Sequence, residues 1–263
     1  MMNFSVLQST PTFVVTIILF ALIVIFYVVG HRLRSKAIKK NLTEATIDFG
    51  GINGMLLGLL GLILAFTFSM SNSRFDTRRQ LIIEEANAIG TVILRTDIYP
   101  DSVRQLLRKN LKEYVEARIA FCQADLNIEK LTEHYLHADQ VGKKIWAIAA
   151  TYARTDDRAT LNSQLIPALN NMIDITTTRR AAGEATIPNS IMYFLFILCL
   201  SMSFLLGYDN KTKIDWIVVV GFALMLSTTL FMIIDLDRPR SGLITMDVPI
   251  QKMVELRDMF MDK

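Results

Sequence analysis

The chain has 263 residues, is 52% hydrophobic and 20% charged, and carries a formal net charge of +3. That is too apolar for an ordinary soluble domain and too polar for a chain wholly in lipid. The charge is too small and too evenly spread to argue for nucleic acid, so no nucleic-acid partner is expected, and two cysteines, Cys122 and Cys199, build no disulfide framework.

Residues 13–29 carry no charge and are long enough to cross a bilayer. No Lys or Arg precedes them, and Tyr27-Val28-Val29-Gly30-His31 is a poor cleavage site, so a retained helix is expected rather than a signal peptide. A basic connector follows at 30–49, with Arg32, Arg34, Lys36, Lys39 and Lys40 against Glu44 and Asp48. The second uncharged run, 52–73, belongs to a glycine-bearing helix over 50–73 with Gly50, Gly51, Gly54, Gly58 and Gly61. Gly54, Gly58 and Gly61 share a helix face, and small residues at that spacing let helices approach closely in lipid. Packing within the chain and packing around a symmetry axis both fit the spacing.

No Pro or Gly interrupts Leu62 to Ile89, so this helix is expected to run out of the membrane into water. It passes Arg74, Asp76, Arg78, Arg79, Glu84 and Glu85 and ends near Thr96. Tyr99-Pro100-Asp101 is a turn. Apolar residues at spacings of three and four then predict three amphipathic helices. The first carries Val103, Leu107, Leu111, Tyr114 and Ile119, the second spans roughly 128–152, and the third spans roughly 159–182 with a kink expected at Pro167. The runs 187–208 and 216–234 are again uncharged and of membrane length. The expected fold is all-α: four transmembrane helices in two pairs flanking a helical soluble domain. Its parts are 1–49, 50–73, 74–186, 187–234 and the tail 235–263. The tail places Asp235, Asp237, Arg238 and Pro239 at the membrane edge, as a solvated exit, followed by a Gly242 turn and a short amphipathic helix over 250–260.

Catalytic patterns are thin, and no enzyme is expected. His134 and His137 stand three apart but lack further ligands of matching spacing, so a solvated helix face is the better reading and no metal is expected. There is no Walker motif, dinucleotide loop or nucleophile elbow, and no cofactor is expected.

Two segments resemble a known family. Gly61-Leu62-Ile63-Leu64-Ala65-Phe66 followed by Ser73-Arg74-Phe75-Asp76-Thr77-Arg78-Arg79 is similar to the second-helix signature of bestrophins. The tail from Asp235 to Ile250 resembles a degenerate form of their Pro-Phe-Gly…Asp-Leu-Pro-Leu segment. Glu84-Glu85-Ala86-Asn87-Ala88-Ile89-Gly90-Thr91 and Asp235-Leu236-Asp237-Arg238-Pro239 resemble, more closely, the bacterial bestrophin-like membrane proteins of unknown function. The resemblance implies a homopentameric ion channel in the bacterial inner membrane, with the lipid bilayer, inorganic ions and copies of itself as partners. The family's hydrophobic neck maps to Gly58, Leu62 and Phe66. Arg74, Asp76 and Arg78 become residues of the pore mouth or of structural ion pairs. Gly58 would leave one ring of the neck wide. The tail lacks the dense acidic run that clasps calcium in animal members, which argues against calcium gating.

The family's orientation puts the middle region in the cytoplasm. Basic residues near the membrane ends do not decide the matter. Arg32, Arg34, Lys36, Lys39, Lys40, Lys211 and Lys213 on one side balance Arg74, Arg78, Arg79, Arg179, Arg180, Arg238 and Arg240 on the other. The alternative to a channel is a non-conducting membrane scaffold or sensor with a helical cytoplasmic domain.

Overall fold

A computed structural model describes residues 10–39, 50–124, 128–155, 159–211, 213–238 and 242–261. Lys40, Glu44 and Asp48 of the connector, Asp156 and Asp157, and Pro239, Arg240 and Ser241 of the tail lie outside them. Among the described residues every regular element is helical: α1 (Thr12–Lys39), α2 (Gly50–Thr96), α3 (Asp101–Gln123), α4 (Ile128–Thr155), α5 (Ala159–Glu184), α6 (Asn189–Asp209), α7 (Trp216–Asp237) and α8 (Asp247–Val254), with a closing 3-10 turn, Glu255–Phe260.

Four stretches, carried by α1, α2, α6 and α7, are long and apolar enough to cross a membrane. Helix α1 continues past the apolar run to Lys39 and takes Arg32, Arg34 and Lys36 with it. The end of hydropathy marks the edge of lipid, not the end of a helix. Pro167 is accommodated within α5, which continues to Glu184. The closing amphipathic segment begins at Asp247 rather than Ile250 and tightens into 3-10 geometry from Glu255.

The chain divides into two compact units. The first comprises described residues of 1–75, 186–238 and 242–244. Its core gathers Leu19, Ile23, Leu60, Leu64, Leu195, Cys199, Ala223 and Leu230. Within it α1 packs along α6 with almost no separation. A Cβ on Gly207 would lie 2.0 Å from the Tyr27 carbonyl oxygen, and one on Gly30 would lie 2.2 Å from that of Phe204. The Ser203 hydroxyl donates to the Ile23 carbonyl at 2.6 Å along the same seam, and the Asn210 amide donates to the Tyr27 hydroxyl at 3.0 Å. Close packing and buried hydrogen bonds take over where hydrophobic association is lost in lipid.

The second unit comprises described residues of 76–185 and 245–261. Its core is built from the apolar stripes of the water-side end of α2, α3, α4 and α5, with Ile89, Ile93, Leu107, Leu111, Ile145, Leu169 and Met172 all shielded from solvent. The C-terminal segment lies on α3. Met253 and Leu256 enter the core, and Arg257 makes a two-pronged ion pair with Glu116 at 2.8 and 2.6 Å.

Candidate functional site

The membrane stretch of α2 has two unlike faces. One is buried in its own unit: Asn53, Leu60, Leu64, Thr67 and Ser71 recur at helical spacing and are at most 7% exposed. Each of its polar members makes a hydrogen bond, although Asn53 Oδ1 is buried without a partner among the described residues. Thr67 donates to the Ile63 carbonyl at 2.8 Å, Ser71 to that of Ile233 at 2.9 Å, and the Asn53 amide to Asp209 at 3.0 Å. The other face holds Gly58, Leu62 and Phe66, the last two 52% and 67% exposed. A Cβ placed on Gly51, Gly54, Gly58 or Gly61 would meet nothing within 4 Å. Among the described residues the glycine stripe therefore makes no close approach within the protomer.

Below this stretch the arginines separate. Arg74 is half-buried, with Nη2 3.8 Å from the Met70 sulfur, and Asp76 is exposed. Arg78 is 4% exposed and donates from Nε to the Ala182 carbonyl at 3.1 Å and from Nη2 to that of Ala185 at 2.5 Å. It satisfies carbonyls left open where α5 ends.

About two turns further, sequence reading missed the most heavily buried charged group among the described residues. Glu85, 0% exposed, accepts from Arg118 Nε, from Arg118 Nη2 at 3.0 Å and from Arg179 Nη1 at 2.5 Å. Arg179 Nη2 reaches the Cys122 sulfur at 3.1 Å. Both guanidinium groups also lie over the Phe121 ring, at 4.8 and 5.7 Å. Burial alone would raise the Glu85 pKa, but Arg118 and then Arg179 hold it below the ordinary carboxylate value. Burial opposes the charge on both arginines too, and the Glu85 carboxylate raises their pKa values in return. The signal was available: Leu107, Leu111, Tyr114, Arg118 and Cys122 form one stripe of α3, so a charge stands on a core face.

The tail acids are structural anchors rather than a solvated exit. Asp235 is 1% exposed, and its carboxylate accepts from the backbone N–H groups of Leu243 and Ile244, both at 3.0 Å. Gly242 makes this return possible. Its φ of +139° and a Cβ position 2.1 Å from Asp235 Oδ1 both demand glycine. Asp237 accepts from the Ile187 N–H at 3.0 Å, just ahead of α6, and Arg238 follows at the end of α7. His137 stands 3.7 Å from Glu113. Among the described residues no group of three or more His, Cys, Asp or Glu is placed to hold a metal.

Four membrane-length helices in two pairs, a helical unit from the middle of the chain, and a tail folded back on the last membrane helix define a polytopic membrane protein of bestrophin type. The chain belongs to the bestrophin-like domain family, whose profile matches residues 17–247. A bacterial bestrophin homologue from Klebsiella pneumoniae, solved as a single-residue variant, shares the fold with TM-score 0.73 at 13% identity, over 95% of this chain and 98% of that one. Another structure of the Klebsiella pneumoniae homologue gives TM-score 0.70 at 14% identity, over 92% and 97%. A structure described as a membrane protein gives 0.71 at 14%, over 94% and 99%. No protein of curated function matches the chain in sequence.

Proposed function

We propose that the protein is a homo-oligomeric ion channel, with five copies around a central axis and a hydrophobic neck formed by Gly58, Leu62 and Phe66 of α2. It would sit in the bacterial inner membrane with the helical unit on the cytoplasmic side. Arg74 and Asp76 would lie at the inner mouth of the pore, and Arg78 would brace α5. Inorganic ions are the substrates, and the reading requires no cofactor and no catalysis.

The observation that carries this reading is the unpartnered glycine-bearing face of α2. Exposed apolar residues by themselves suit lipid, and α1 offers Ile17 and Ile25 in that way, 64% and 52% exposed. Glycine is different. Each one inside a helix costs about 1 kcal/mol relative to alanine, and a lipid-facing surface returns nothing for it. Among the described residues nothing lies within 4 Å of a Cβ built on Gly51, Gly54, Gly58 or Gly61, so a second copy of α2 is the partner that makes them useful. Rings of Leu62 and Phe66 around an axis would form a constriction that gates by dewetting.

The test begins with the mass of the detergent-solubilised protein, corrected for bound detergent, and continues with currents in planar bilayers. A pentamer whose conductance rises in Phe66→Ala and Leu62→Ala supports the reading. A monomer or dimer, or a pentamer that passes no current under any ion or voltage, overturns it and leaves a membrane scaffold.

A further inference from the structure

The second unit contains a small cavity of about 50 Å³ among α3, α4 and α5, lined by Tyr114, Arg118, Tyr135, Asp139, Gly142 and Lys143 with their neighbours. Its inner wall is Arg118 and Tyr114, 1% and 2% exposed. At its mouth Lys143, with a side chain 75% exposed, pairs with Asp139 at 2.6 Å, so the rim is neutral.

Behind the wall the charges do not balance. Two guanidinium groups, Arg118 and Arg179, share the one carboxylate of Glu85. One buried positive charge is therefore left without a buried acid among the described residues, and desolvating an unpaired ion is costly. Donors also remain. Arg118 commits Nε and Nη2 to Glu85, leaving Nη1. Among the described residues the Tyr114 hydroxyl has no hydrogen-bond partner. Burial raises its pKa, so it keeps its proton and can donate it.

Gly142 supplies a separate observation. It lies inside α4, where glycine lowers helix stability. Sterics do not require it, because an added Cβ would meet Tyr114 Cε2 at 3.4 Å, an ordinary contact. The missing methyl instead leaves space in the cavity wall. At roughly 10–15 Å³ of such volume for each water, the cavity admits a few waters or one small ion.

We infer that this cavity binds a small inorganic anion of halide size, held by Arg118 Nη1 and the Tyr114 hydroxyl, with Lys143 at the entrance. The bound anion neutralises the excess charge of the buried cluster. The site is built wholly from residues of the second unit and does not depend on conduction.

The experiment is thermal unfolding of the full-length protein in detergent, titrated with sodium bromide against sodium gluconate at constant ionic strength. Bromide is expected to raise the melting temperature saturably. Tyr114→Phe removes one hydrogen bond to an anion and should raise the half-saturating bromide concentration roughly tenfold. Gly142→Ala should melt at an equal or higher temperature in gluconate and lose its response to bromide. The inference falls if bromide adds nothing beyond gluconate. It also falls if both variants respond like the parent, since the anion then binds elsewhere.

Discussion

Replacing Glu85 by Gln is the most demanding test of how the second unit is held together. The side chain is fully buried and accepts three charge-assisted hydrogen bonds from two arginines. Glutamine keeps one acceptor oxygen and turns an NH2 group toward a guanidinium, so at least one donor loses its partner. The buried excess charge also doubles. Breaking a buried ion pair by removing one partner costs about 3–5 kcal/mol. For a chain of this size each kcal/mol lowers Tm by about 2–4 °C, so Glu85→Gln should melt roughly 10 °C below the parent by far-UV circular dichroism. Adding Arg179→Gln returns the excess charge to its original value. The double variant should therefore be more stable than the sum of the single effects by about 1 kcal/mol or more. If Glu85→Gln costs less than about 1 kcal/mol, or if the two changes simply add, Glu85 and the two arginines do not act as one coupled unit.

Acid should weaken the same cluster, in which Arg118, Arg179, Tyr114 and Cys122 surround Glu85. Its pKa is lowered in the fold, so its stabilisation is complete above the unfolded glutamate value, about 4.3. It is lost as pH falls from there through the lowered native value; Tm measured against pH should show that loss in the parent and lack it in Glu85→Gln. Gly207→Ala drives a methyl into the Tyr27 carbonyl, and it should cost about 3 kcal/mol or more and lower the folded yield in detergent. Gly58→Ala should leave protomer folding intact, and equal losses from the two would refute the packing assigned to α1 and α6. For the C-terminal segment, Met253→Ala should destabilise by about 2–4 kcal/mol. Arg257→Ala, which breaks an ion pair roughly half exposed, should cost under about 1 kcal/mol. Urea unfolding that ranks them the other way would make the ion pair, not burial, the clasp.

The membrane helices were legible because the signal is local: an uncharged run of bilayer length needs no tertiary partner to be recognised. The water-side helices were legible from their apolar stripes for the same reason. What sequence reading missed is non-local. Glu85 lies 33 residues from Arg118 and 94 from Arg179, and each alone reads as a solvated charge. Only the position of Arg118 on the stripe of Leu107, Leu111 and Tyr114 betrays it. Asp235 was hidden in a similar way, because its partners are backbone N–H groups that arrive eight and nine residues later.

The glycines show the limit most clearly. Spacing drew attention to Gly54, Gly58 and Gly61, yet the glycines that bring backbones together within the protomer are Gly30 and Gly207, one on each helix and part of no repeat. Close approach requires a small residue on one helix and a backbone atom facing it on another, and sequence reports only the first condition. A regular series that finds no such atom inside its own chain is thus informative in a different way. It marks a face left open among the described residues, and α2 carries such a face beside Leu62 and Phe66.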